Sequence, residues 1–389
     1  MSLITAFSFP ARLAWRQLLH DRTKLIAAIC GVLFATVLVF MQLGFKDALY
    51  AGASYAPMKL DGDLFIMHKQ TEAMWRSVLF DRSELMRALG HPEVVSAYPM
   101  YIGLTPFKVT DTRIKRTLMV YGYDPDANLM DIKEIQAKHE LLRQQDTIMF
   151  DESSRPEFGP MRQLMSEGKD LNEINDHKVK TVGLFRLGIS FSADANVVTS
   201  DLNFLRIFRG RSPDQIDMGI IKLLPGANAE KVKAELIAKL NENIVLFTAD
   251  QLIEFEKVYW QIKTPIGFVF GFGMIMGLIV GMVIVYQILF TDITNHLNEF
   301  ATLKAMGYKN SYFVKVVFAS AFLLAILGFI PGFILSLGLY RLAEGQIFMP
   351  MPMTLNKIIT IFLFILTMCA TAGLLAMRKL KAANPADMF

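Results

Sequence analysis

The chain has 389 residues, 53% of them hydrophobic and only 20% charged, with a net charge of +4 and a positive mean hydropathy. A soluble protein of this length carries more charge and no long uncharged runs, so a purely water-soluble protein is excluded. The modest positive charge suits loops beside anionic lipid better than it suits nucleic acid.

Four uncharged runs reach bilayer length: Leu25 to Phe45, Thr264 to Thr291, Val316 to Tyr340 and Ile358 to Met377. About 20 helical residues cross a ~30 Å hydrocarbon layer, so each run predicts a transmembrane helix. The expected fold is therefore a four-helix membrane protein with a large α+β domain, residues 46–263, between the first and second helices.

Residues 1–24 form the first segment. "PARLAWRQLLHDR" (10–22) starts at a proline and sets Ala11, Trp15, Leu18 and Leu19 on one helical face, with Arg12, Arg16 and Gln17 elsewhere. That suits an amphipathic helix in the inner headgroup layer, and a plain cytoplasmic extension of the first span fits as well. The span itself, 25–45, is longer than a signal-peptide core. Lys46 and Asp47 separate it from the small-residue stretch Ala51-Gly52-Ala53, so an uncleaved anchor is expected. Ala27, Gly31 and Ala35 give this helix a small-residue groove.

In the external region, 63–69 and 93–103 read as strands around a short helix at 81–90. Residues 217–224, 228–241 and 243–248 repeat strand, helix and strand, with Val232, Leu236 and Leu240 on one helical face. Two such units predict a split α/β domain around a mostly β insertion, 104–216. In "AMWRSVLF" (73–80), Trp75 and Phe80 are compatible with either a lipid-facing loop or core positions. Residues 249–263 read as a helical stalk that meets the second span, 264–291, with Tyr259 and Trp260 where an interfacial aromatic belt is expected.

Within that span Gly273, Gly277 and Gly281 recur every four residues, which permits close helix contact. Packing within one bundle and a homodimer seam are both open. Residues 292–315 form a loop, 316–340 the third span, 341–357 a short loop, 358–377 the fourth span and 378–389 a tail. Cations flank the first span (Arg12, Arg16, Arg22, Lys24) and the last (Arg378, Lys379, Lys381). The 292–315 loop adds Lys304, Lys309 and Lys315. The positive-inside rule then puts both termini and this loop in the cytoplasm and 46–263 outside, in the periplasm of a multi-pass inner-membrane protein.

Enzymatic motifs are missing. There is no GxxxxGK[ST] phosphate loop, no HExxH and no histidine pair at metal-ligand spacing, so no catalytic or metal-ligating residue is assigned. Ser153 and Ser154 stand in a Ser/Pro/Gly-rich turn without an SxxK or GxSxG context. Met349, Met351 and Met353 in "FMPMPMT" could hold Cu(I), but without His or Cys they read as an extended apolar loop touching lipid. Cys30 and Cys369 lie in the first and last spans and build no disulfide framework.

Between the second and third spans, Ile293, Leu297, Phe300 and Ala301 cluster on one helical face, opposite Asn295, Asn298, Glu299 and Thr302, and Gly307 supplies a helix stop. An amphipathic helix held at the inner face can lie along the membrane or fill a cleft on a cytoplasmic partner, and with no energy source in the chain a partner ATPase is the economical occupant. A surface turn with an incidental amphipathic helix explains the same residues.

The segments "ARLAWRQL", "FMQLGFKDALY", "SSRPEFGP", "YWQIKTPIGF", "GMVIVYQILFTDITNHLNEFATLKAMGY" and "AMRKLKAANPADMF" resemble the DevC family of ABC transporter permeases, similar to the wider MacB/LolCDE/FtsX group of type VII ABC transporters. The resemblance runs from about Ala11 to Phe389. It implies a homodimeric, non-catalytic permease with two copies of a separate ABC ATPase subunit (DevA-like), which alone binds ATP and Mg. It also implies a periplasmic adaptor, or membrane fusion protein (DevB-like), and a TolC-like outer-membrane channel for export of glycolipid or other envelope material. The family's coupling element maps to Leu297, Asn298, Glu299, Phe300, Leu303, Lys304, Ala305, Met306 and Gly307. Glu299 and Lys304 would make polar contacts to the ATPase, and Phe300, Leu303 and Met306 would fill its cleft. Phe300 stands where a tyrosine is expected. An FtsX-like transmitter that activates a cell-wall hydrolase is the rival reading, and an enzyme within 46–263 has no motif behind it.

Overall fold

The computed structural model describes residues 3–108 and 115–382; the side chains of 3–11, 115, 297, 298, 300, 301, 310 and 378–382 stand outside that description. The chain divides into two units, residues 48–266 and residues 1–47 with 267–389.

Helices α1 (Leu3–His20) and α2 (Arg22–Lys59) open the chain. Asp21 separates them and caps α2: its carboxylate accepts the Lys24 amide at 3.2 Å and pairs with the Lys24 ammonium at 2.8 Å. The second unit follows with β1 (Leu64–His68), β2 (Phe80–Asp81), α3 (Arg82–Arg87), β3 (Val94–Lys108) and β4 (Lys115–Tyr123). Then come α4 (Lys133–Gln136), β5 (Thr147–Asp151), α5 (Met161–Ser166), β6 (Leu171–Ile174), β7 (His177–Phe185) and β8 (Ala195–Ser200). It finishes with α6 (Asp201–Ile207), β9 (Gln215–Ile216), β10 (Met218–Leu223), α7 (Ala229–Ile237), β11 (Ile244–Thr248), α8 (Ala249–Val258) and a π turn at Tyr259–Lys263.

Nine strands form one sheet in the order β11-β1-β10-β3-β4-β8-β5-β7-β6. The first four are mutually antiparallel, and with α3 and α7 they make the split βαβ arrangement. Val232 and Leu236 of α7 and Leu85 of α3 pack with Leu64, Ile66 and Ile221 on one face; Leu252 of α8 packs with Phe65, Met67 and Ile220 on the other. Both faces are covered, which is why "LFIM" in β1 is apolar without alternation.

β3 runs through the expected boundary at 104 to Lys108, and its far end pairs with β6 as well as β4. Strands β3, β4, β8, β5, β7 and β6 thereby close on themselves into a small barrel around Phe107, Phe150, Phe158, Val120 and Val197. Two of its pairings, β4 with β8 and β5 with β7, are parallel. Phe80 is buried at 5% exposure and Trp75 packs against the core, so core positions, not a lipid-facing loop, explain both.

In the other unit, α9 (Pro265–Asn295), α10 (Leu297–Ala305), α11 (Asn310–Ile347) and α12 (Leu355–Ala382) follow. Helices α2, α9, α11 and α12 are long and apolar enough to cross a membrane. Pro331 lies inside α11, a position tolerated where neighbouring helices surround the backbone.

In α1, Ala14, Gln17 and Leu18 are buried, with Ala14 set against Val316 and Ala319 of α11, while Trp15 and Leu19 are exposed. Small Ala14 lets two helices approach where the bulkier residues could not. Two sequence expectations are corrected here. Tyr259 and Trp260 are each 6% exposed and pack against Trp75, so neither faces outward as a belt residue. Met349 and Met351 are buried against protein and so do not face lipid, while Phe348, Pro350 and Pro352 of the same segment are exposed.

Candidate functional site

α9 does not run straight into α10. His296 leaves helical geometry, its amide and ring Nδ1 both held by the Asp292 carbonyl at 3.1 and 3.0 Å. The ring also meets His20, the last residue of α1, at 6.3 Å between centroids. α10 then ends in a two-bond αL stop. The Tyr308 amide donates to the Leu303 carbonyl at 3.2 Å and the Gly307 amide to Lys304 at 3.0 Å, with Gly307 at φ +93°. A Cβ at Gly307 would meet nothing within 4 Å, so backbone conformation alone requires glycine there.

The result is a nine-residue helix set off from both neighbours by backbone breaks. Glu299, Ala305, Gly307 and Lys309 are exposed, Leu303 and Lys304 half-buried, and Met306 is 64% exposed. The side chains of Leu297, Asn298, Phe300 and Ala301 lie outside the described ones. Tyr308, 41% exposed, packs against Tyr312 with tilted rings 4.9 Å apart and adds an aromatic that sequence reading left out.

The glycine row of α9 packs on α2 of the same chain. A Cβ at Gly273 would lie 2.4 Å from Gln42, at Gly277 2.7 Å from Leu38, and at Gly281 2.6 Å from the Ala35 Cβ; one at Gly31 would lie 2.4 Å from Ile284. These four pairs run in antiparallel register and bring the two helices into close contact. Ala27 is exposed and takes no part in this row. Gly328 and Gly332 of α11, not singled out in the sequence, approach Val32 and Thr36 on α2 in the same way. Their four-residue spacing was the available signal. α2 is thus gripped by two helices.

At the far end of the same helices, Lys357 is buried. It pairs with Asp47 at 2.8 Å, donates to the Pro352 carbonyl at 2.9 Å and lies over the Tyr340 ring. Tyr340 donates to the Phe40 carbonyl at 2.5 Å, and Met351 and Tyr340 press on Gly44. Glu344 accepts the Met351 amide at 2.6 Å. This arrangement fixes the Met-Pro segment to α2 and α11.

In the domain, Glu256 of α8 is 4% exposed, and its carboxylate accepts the Met74 amide. Beside it lies a cavity of about 30 Å³, lined by Tyr55, Trp75, Tyr121, Ser190, Asn196 and Trp260, with room for about one water. Desolvation outweighs the single hydrogen bond and pushes Glu256 up to about 7. In the Ser/Pro/Gly turn, the Ser154 hydroxyl donates to the Asp151 carbonyl at 2.6 Å and the Ser153 amide to the Asp151 carboxylate, a turn-forming role for both residues.

Comparison with known proteins places one region. No curated protein matches the chain. The domain is similar to the periplasmic region of MacB from Actinobacillus actinomycetemcomitans, at 12% identity and a TM-score of 0.36 over 51% of this chain and 93% of that one. It is also similar to the extracellular domain of the ABC-type transporter YknZ from Gram-positive bacteria, at 10% identity and a TM-score of 0.34 over 48% and 99%. Residues 271–385, nearly all of α9 together with α10, α11 and α12, match the FtsX-like permease C-terminal family.

Proposed function

We propose that this chain is the membrane subunit of an ABC-type exporter, taking its power from a separate ATPase through α10. The observation that supports this most is the construction of α10. A helix with exposed Glu299 and Met306 is set off by His296 and Gly307 between two membrane-length helices, inside the region that matches FtsX-like permeases. Such a helix suits the cleft of a cytoplasmic partner. In this reading both termini and α10 are cytoplasmic, residues 46–263 are periplasmic, and the chain works as a homodimer. A push on α10 travels through α2 and α9 to the domain, which acts with an adaptor and a TolC-like channel to export glycolipid or other envelope material.

Met306→Asp tests the coupling role, because an exposed residue can change without disturbing the core. Recovery of the ATPase on purification of the chain should fall sharply; undiminished recovery overturns the assignment of α10. A second reading compatible with the FtsX-like match is a transmitter that activates a cell-wall hydrolase. Capture of a hydrolase in place of an adaptor on the periplasmic side would decide for it.

A further inference from the structure

The domain buries two carboxylates close together and treats them differently. Asp151 is fully buried and accepts from the Ser153, Leu187 and Gly188 amides and from the Asn196 side chain. Glu256, nearly as buried, takes a single hydrogen bond among the described residues, from the Met74 amide, and pairs with no cationic side chain. Trp75 lines the cavity beside it, but the indole N–H makes no hydrogen bond and so gives Glu256 no second donor. One carboxylate is met on all sides by donors; the other is left with most of its charge unanswered.

The cavity has the features that would answer it. At about 30 Å³ it has room for one particle the size of water. Tyr55 of α2, Tyr121 of β4, Trp75 and Trp260 supply aromatic walls, and the faces of such rings attract cations. Ser190 and Asn196 add neutral polar groups, and no lysine, arginine or histidine is found among the described lining residues. The other titratable groups of the lining are the Tyr55 and Tyr121 phenols, which burial holds protonated. With Asp151 behind Asn196, every formal charge in this setting is negative.

Charge balance then selects the valence. One positive charge neutralises Glu256, whereas a divalent ion would leave an uncompensated buried charge. Nor do the described residues contain any group of three His, Cys, Asp or Glu side chains able to hold a metal.

We propose that the cavity beside Glu256 binds one monovalent cation of about the size of a water molecule, of the potassium or ammonium type. Bound there, the ion joins α8 to the Met74–Trp75 segment and to Tyr55 near the end of α2.

The test uses the full chain in detergent with Trp15→Phe, so that Trp75 and Trp260 are the only indoles. At pH 8 and constant ionic strength, N-methylglucamine chloride, whose cation is too large for the cavity, is replaced stepwise by potassium chloride or ammonium chloride. Tryptophan emission should change saturably with one or both ions. The melting temperature should rise by about 3–6 °C once that ion stands at ten times its dissociation constant. Glu256→Gln, which keeps an acceptor for the Met74 amide, should show neither effect. Protons compete for a carboxyl held at about 7, so the wild-type affinity should fall by roughly a hundredfold between pH 8 and pH 5. A wild-type chain that treats potassium, ammonium and N-methylglucamine alike at pH 8 overturns the proposal, whether or not the glutamine variant folds. An equal response from Glu256→Gln, or an affinity unchanged at pH 5, puts the ion elsewhere and overturns it too.

Discussion

Glu256→Gln should abolish a pH dependence of stability that the wild-type chain carries. An unfolded glutamate titrates near 4.5, and in the folded domain burial holds Glu256 at about 7. Below the lower value both states keep the proton, and the favourable difference is fully present. As pH rises, the unfolded chain releases its proton first, so stability falls until the folded carboxyl also ionises. At about 1.4 kcal/mol per pH unit, the interval from 4.5 to about 7 amounts to a loss of roughly 3 kcal/mol. For a unit the size of 48–266 that corresponds to a melting temperature lower by about 6–12 °C at the alkaline end. Glutamine keeps the acceptor for the Met74 amide and never charges. Its melting temperature should stay flat over this window and exceed that of wild type at pH ~8. The assay is thermal unfolding of the full chain followed by tryptophan emission, since Trp75 and Trp260 line the same cavity. Parallel curves for the two proteins would refute the reasoning.

Three further outcomes are expected. A Leu38→Cys/Gly277→Cys double variant should oxidise to a bridge within one chain, because the two Cβ positions are 3.5 Å apart, and should migrate as a monomer on a non-reducing gel. Gly307→Val should cost about 1–2 kcal/mol at a left-handed position and reduce ATPase co-purification, whereas Gly307→Asn should retain most of it. Lys357→Met should lower thermal stability in detergent by about 1–3 kcal/mol, because Asp47 and the Pro352 carbonyl both lose their donor, and Asp47→Asn in the same chain should recover part of the loss.

The split βαβ half of the domain was legible because its signals are local. Strands at 63–69, 93–103, 217–224 and 243–248 and helices at 81–90 and 228–241 correspond to β1, β3, β10, β11, α3 and α7 within a few residues, β3 running five residues further. The barrel was not, since its parallel pairings join strands that no turn connects, and its closure depends on two residues at the far end of β3. Around α10, Gly307 was legible because a left-handed stop demands a glycine. The His296 break was not, for histidine carries no such signal. In α1 the contact made by Ala14 with Val316 and Ala319 was not legible either, because a small residue that packs between helices adds little hydrophobic signal.

Ring closure between β3 and β6 has a further effect on how this domain behaves in company. In the nine-stranded sheet β6 is tied back to β3 through Phe107 and Lys108, so among the described strands β11 is the one that ends the sheet with a neighbour on one side alone. That margin is five residues long and passes directly into α8, whose first turn Gln251 locks by accepting the Thr248 amide. Strand-to-strand aggregation, the usual hazard of so β-rich a domain, has almost nowhere to start.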